Sequence, residues 1–155
     1  MIKNKKSFIV GIKGKKLNRK EITFLKKYKP WGIILFSRNI YSIKQTKNLT
    51  DHIKRIFKDK NYPIMIDEEG GKVSRLKKII DTSLFSHKFF GDMYIKDNKR
   101  FNLYFATYVK QLSYVLTLCG ININTVPVLD IIRKFSSKVL KDRCYSSNPK
   151  IVSKL

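Results

Sequence analysis

Asp67-Glu68-Glu69-Gly70-Gly71 gathers three of the chain's eleven acidic residues into consecutive positions, in a protein of formal charge +23. Carboxylates grouped in this way can hold a metal ion, act as acid and base, or accept hydrogen bonds from sugar hydroxyls. A divalent cation would want further oxygen ligands at defined spacing, and no DxD or EF-hand loop is present. Adjacent residues of a strand point to opposite faces, so Asp67 and Glu68 cannot share one pocket if the strand runs through them. The two glycines allow a sharp turn or a close backbone approach to a ligand. Arg75 follows a few residues later. An Asp together with an Arg presents acceptors and a fork of donors suited to a polar, hydroxylated ligand. The competing reading is structural: Asp67 and Glu69 cap a turn and pair with Lys72 and Arg75. Asp142-Arg143 can bring a second arginine to the same face, or can be a surface ion pair of little energetic weight. His52 lies in a helix and His87 in an irregular segment; both lack a Cys or His partner at metal-ligand spacing and are read as non-catalytic. There is no GxSxG elbow, no GxGxxG and no GxxxxGK[ST]. Cys144 has no base near it in sequence. No metal and no cofactor is expected.

Helices and strands must position these groups. Ser7–Ile12 reads as a short strand and Asn18–Lys29 as a helix, with Asn18 its N-cap and Pro30 its stop. Gly32–Phe36 is a continuous apolar run of the kind buried on both faces of a parallel sheet. Ser42–Phe57 is an amphipathic helix. Pro63–Ile66 is a second buried strand, ending at Asp67. Lys99–Leu118 is the longest helix, closed by Gly120. Ile121–Leu129 reads as a further strand, ending at Asp130. Asn148-Pro149 opens a helix with an Asn cap and Pro at its first position. The alternation of strand and helix predicts an α/β fold with parallel strands. In such folds ligands gather at the C-terminal ends of the strands, where the acidic run lies.

Composition narrows the class. The 155 residues fit one ordinary domain, and an apolar content of 43% supports a core. Of the 34 basic residues 27 are Lys, spread along the whole chain, alongside 20 Ile and 10 Asn. All three residues use A/T-rich codons, so base composition accounts for the charge. A nucleic-acid footprint would cluster, so nucleic acid is not the expected partner. Two cysteines without a CxxC point to a reduced cytoplasmic compartment. No stretch approaches the roughly 18 apolar residues of a membrane span.

The runs Lys29-Pro30-Trp31-Gly32-Ile33-Ile34-Leu35-Phe36-Ser37-Arg38-Asn39, Ile66-Asp67-Glu68-Glu69-Gly70-Gly71-Lys72-Val73-Ser74-Arg75-Leu76, Val126-Pro127-Val128-Leu129-Asp130 and Asp142-Arg143-Cys144-Tyr145 come in this order. Together they resemble the N-terminal half of family 3 glycoside hydrolases, most closely the bacterial cytoplasmic β-N-acetylhexosaminidases of peptidoglycan recycling. The likeness runs over about residues 8–152. It implies a retaining glycosidase acting on terminal N-acetylglucosamine, folded as a (β/α)₈ barrel. By that resemblance Asp67 holds sugar hydroxyls, and Arg75 and Arg143 are further sugar contacts. Lys72 stands where the family usually has Arg, and Cys144 where it has Ser.

A full barrel needs about 250 residues, about 100 more than this chain. The expected architecture is therefore an incomplete (β/α)₈ barrel of about the first three βα units, with residues 1–155 forming a partial domain. The family's Lys-His motif, its mobile loop with the catalytic His and its Asp nucleophile would lie beyond Leu155. A retaining hydrolase needs both a nucleophile and an acid/base group, so no catalytic residue is assigned and the chain is expected to be inactive alone. Its expected partners are an N-acetylglucosamine-containing saccharide and a second chain completing the barrel. A small basic nucleic-acid-binding protein and a non-catalytic sugar-binding remnant are the alternatives.

Overall fold

Asn18 begins the first helix by accepting the Glu21 amide at 2.9 Å, while the Glu21 carboxylate accepts the Asn18 amide at the same distance. This capping box opens α1 (Arg19–Tyr28), and Lys29 closes it in the left-handed region at φ 48°. Lys26 and Lys27 lie in its last turn, where the helix dipole favours cations. Ser42 caps α2 (Ile43–Phe57) through the Gln45 amide. The described residues of this computed structural model are 5–155.

The strands are β1 (Lys6–Gly11), β2 (Pro30–Leu35), β3 (Ile64–Ile66) and β4 (Ile123–Asn124). They form one parallel sheet in the order β1-β2-β3-β4. Ile9 is registered with Gly32, Ile33 with Ile64, and Met65 with Ile123. Parallel strands flanked by helices should be buried on both faces. Ile33, Leu35, Ile64 and Ile66 are fully buried. The edge strand β1 differs, with Phe8 and Ile9 exposed.

The chain forms two compact units. The first comprises residues up to Asp67 together with Tyr114–Asn124. Its core includes Leu25, Leu49, Ile53, Phe57 and Tyr62 around the sheet residues. Phe57 and Tyr62 stack with centroids 3.9 Å apart, and the Tyr62 hydroxyl donates to the Pro30 carbonyl at 2.7 Å. The second unit comprises Glu68–Ser113 and Thr125–Leu155. It holds α3 (His87–Lys96), most of α4 (Asn98–Leu118) and the short α5 (Pro149–Val152), which Asn148 caps. Its core gathers Phe90, Phe101, Tyr145 and Val152, with Met93, Tyr94, Phe105 and Tyr108 packed against them.

Two expectations change. The strand foreseen over Ile121–Leu129 shrinks to Ile123–Asn124. Asn122 spends its side chain at the strand's start, where Oδ1 accepts the Ile64 amide at 2.8 Å, and Pro127 further on has no amide to donate to a ladder. Asp130 therefore does not end a strand. The sheet holds the four parallel strands expected. The segment around His87, read as irregular, opens α3, with Ser86 as N-cap accepting the Phe89 amide at 3.1 Å.

Candidate functional site

β3 ends at Ile66, so the acidic run is not strand and the alternation that would separate its side chains does not apply. Half-buried Asp67 is the last residue of the first unit before the chain enters the second. Glu68, Glu69, Arg75 and Arg143 all belong to the second.

Gly70 and Gly71 turn the backbone with φ of +76° and +57°. A side chain on Gly70 would also meet the Phe85 carbonyl oxygen 2.2 Å from its Cβ. The turn closes on itself: the Glu69 amide donates to the Val73 carbonyl at 3.0 Å, and the Val73 amide to the Gly70 carbonyl at 3.1 Å. The Gly71 amide donates to the Thr82 carbonyl at 2.9 Å. Beneath the turn lies Glu68, 1% exposed. Its Oε2 accepts the amides of Arg75 and Leu76 at 2.6 and 3.0 Å and the Ser74 hydroxyl at 3.3 Å, and its Oε1 accepts the Thr82 hydroxyl at 2.8 Å.

Glu69 and Arg143, 74 residues apart in sequence, form a bidentate pair. The Arg143 Nε and Nη2 each lie 2.8 Å from one carboxylate oxygen, the fork geometry that favours Arg over Lys. The Glu69 carboxylate is 7% exposed and the guanidinium side chain 30%. Hydrogen bonding to Glu69 holds the Arg143 pKa above its ordinary value. Asp142 pairs with Lys72 beside this contact, largely in solvent, so that second bridge contributes little. Arg143 thus reaches back to the acidic run itself and Asp142 to the segment that follows it. Glu69 takes Arg143 as its ion-pair partner, whereas the structural reading of the sequence gave it Lys72 and Arg75. No local spacing announces either contact.

His87 is 5% exposed. Its ring meets Tyr145 edge-on at 4.6 Å, its Nε2 accepts the Val128 amide at 3.5 Å, and its Nδ1 is buried without a hydrogen-bond partner. Burial lowers its pKa below 6.5, and the nearby Glu69 carboxylate opposes this. An imidazole that binds its proton less readily when folded stabilises the fold fully above the unfolded pKa. That contribution is lost as pH falls through the folded pKa. Thermal melts from above pH 6.5 down to about pH 5 should therefore show a smaller acid-side decline for His87→Gln than for the wild type. Equal declines would assign the pH dependence to other groups. Burial also raises the pKa of Cys119 and Cys144, both free and buried. Among the described residues there is no group of three or more His, Cys, Asp or Glu placed to hold a metal. Nor is any helix there long and apolar enough to cross a membrane.

Residues 1–155 match the family model described as the glycosyl hydrolase family 3 N terminal domain. A beta-hexosaminidase of Alkalilimnicola ehrlichii is 32% identical over 146 residues, which cover 93% of this chain and 40% of that protein. The beta-hexosaminidase of Neisseria meningitidis serogroup B is 34% identical over 125 residues, or 80% of this chain and 34% of that protein. Among solved structures, native NagZ from Neisseria gonorrhoeae superimposes with a TM-score of 0.82 at 28% identity, over 97% of this chain and 43% of its own. The same enzyme in complex with N-trifluoroacetyl-D-glucosamine gives 0.78 at 30% identity, over 97% and 44%. The chain spans about two fifths of the length of these relatives.

Proposed function

The chain belongs to glycosyl hydrolase family 3 through that family's N-terminal domain, and on that premise we propose that it binds a terminal N-acetylglucosamine unit through Asp67, Arg75 and Arg143. The observation that carries this reading is the bidentate bridge between Glu69 and Arg143. It ties the acidic Gly-Gly turn to the Asp-Arg-Cys-Tyr segment, the two stretches in which the family resemblance places sugar contacts. A ligand rich in hydroxyls suits a carboxylate acceptor and guanidinium donors; with Nε and Nη2 held by Glu69, Arg143 offers its remaining N–H groups. The complex of NagZ with a glucosamine derivative supports the sugar class.

On this reading the saccharide comes from peptidoglycan recycling in the cytoplasm, a compartment consistent with two free, buried thiols. A retaining mechanism needs a nucleophile and an acid/base group; on this reading neither role is assigned to a residue of the 155, which hold the sugar without cleaving it. On this reading β1 and β4, the margins of the sheet, are where further strands of the barrel add.

The test is N-acetylglucosamine titration of the 155-residue chain, followed by amide resonances. Saturable shifts in the wild type and their loss in Asp67→Ala are expected, with no nitrophenol released from nitrophenyl N-acetylglucosaminide. Equal binding by the variant would remove Asp67 from the site. Turnover by the purified chain would overturn the non-catalytic reading.

A further inference from the structure

Glu68 is the most thoroughly enclosed carboxylate among the described residues, and the sugar-contact assignments do not use it. A buried carboxylate must be matched by donors, because leaving water without them is costly. Here the donors are two consecutive backbone amides and two hydroxyls, all between Ser74 and Thr82. The amides of Arg75 and Leu76 flank the arginine's own Cα. Leu76 is fully buried, which anchors the far side, and the closed turn over Gly70 and Val73 anchors the near side. The backbone of Arg75 is therefore suspended from one acceptor, Glu68 Oε2, whose rotamer is fixed in turn by Thr82 on Oε1.

We propose that Glu68 is a positioning residue: its carboxylate sets the backbone from which Arg75 reaches a sugar hydroxyl. This rests on the sugar-binding reading above. A side chain of the same length with one acceptor oxygen should suffice. In Glu68→Gln the amide oxygen keeps the Arg75 and Leu76 amides, and the amide nitrogen donates to the Thr82 hydroxyl, which turns to accept. In Glu68→Met the volume is kept and the strong acceptor is gone, so both backbone amides lose their partner.

Two measurements test this. Amide exchange at Arg75 and Leu76 reads the loop without any ligand. Protection should persist in the wild type and in Glu68→Gln, and fall at least about tenfold in Glu68→Met. N-acetylglucosamine affinity reads the consequence. Glu68→Gln should bind as the wild type does, while Glu68→Met and Arg75→Ala should each weaken binding about tenfold. The pair combined should be no weaker than Arg75→Ala alone, because both remove one contact. If Glu68→Met does not fold, Thr82→Val should show the same changes at a smaller scale, about threefold.

Unchanged protection in Glu68→Met would overturn the proposal, as would a loss of affinity that adds in full to that of Arg75→Ala. Were Arg75→Ala to bind sugar normally, the sugar reading would fail at Arg75, while the exchange data would still decide whether Glu68 holds the loop.

Discussion

Gly91→Ala is expected to lower folding stability by about 3 kcal/mol or more, at the upper end of overpacking costs. Helix propensity predicts the opposite sign, since alanine is favoured over glycine inside a helix by up to about 1 kcal/mol. The packing decides. Gly91 is buried within α3, and a Cβ there would stand 1.8 Å from the Tyr145 carbonyl oxygen and 2.6 Å from its carbonyl carbon. These are backbone atoms, so no side-chain rotation relieves the contact. The helix and the Tyr145 strand of chain would have to part, and Tyr145 belongs to the second unit's core. Urea or thermal melts of the wild type and the variant check this. A variant as stable as the wild type would show that the two segments separate freely.

Arg143→Ala is the second large effect, expected at about 3 kcal/mol. Two charges are not equally at stake. The guanidinium side chain keeps 30% exposure, whereas Glu69 keeps only 7% and is left with its carboxylate stranded. Removing a partner from a buried pair costs more than the pair contributes, because the remaining charge has been desolvated without compensation. Arg143→Lys should fall between, as a point charge cannot span both oxygens. The distinguishing measurement is the double variant Glu69→Gln with Arg143→Ala. It should be more stable than Arg143→Ala alone, since it removes the stranded carboxylate. If the double variant is the less stable of the two, the loss comes from packing around Arg143, not from the charge.

These effects fall where the sequence was least legible. Local chemistry was readable: Asn18 and Asn148 each cap the helix their type and position announce, and Gly120 ends α4 with φ +74°. The apolar runs Gly32–Phe36 and Pro63–Ile66 lie in neighbouring strands because four or five consecutive apolar residues have few other places to go. Two kinds of information were missing. Helix α3 escaped notice although Ser86 caps it, because Gly91 interrupts a short helix rich in aromatics, and only packing against Tyr145 explains why glycine is needed. The Glu69–Arg143 bridge joins residues 74 positions apart, and no periodicity encodes a contact of that range. The acidic run stands out in a lysine-rich chain. The internal roles of Glu68 and Glu69 are set by tertiary donors, which composition does not display.

The sheet order β1-β2-β3-β4 follows the order of the chain, and this bears on how such a domain is assembled and altered. Every strand is laid on the edge made by the strand synthesised just before it, so no earlier pairing must open to admit a later one. This order lets the sheet grow in the direction in which a ribosome releases the chain. Each βα step is an addition to a finished margin, in the manner of courses of brick. A lineage can lengthen, divide or shorten such a wall at its growing margin, and the courses already laid keep their register.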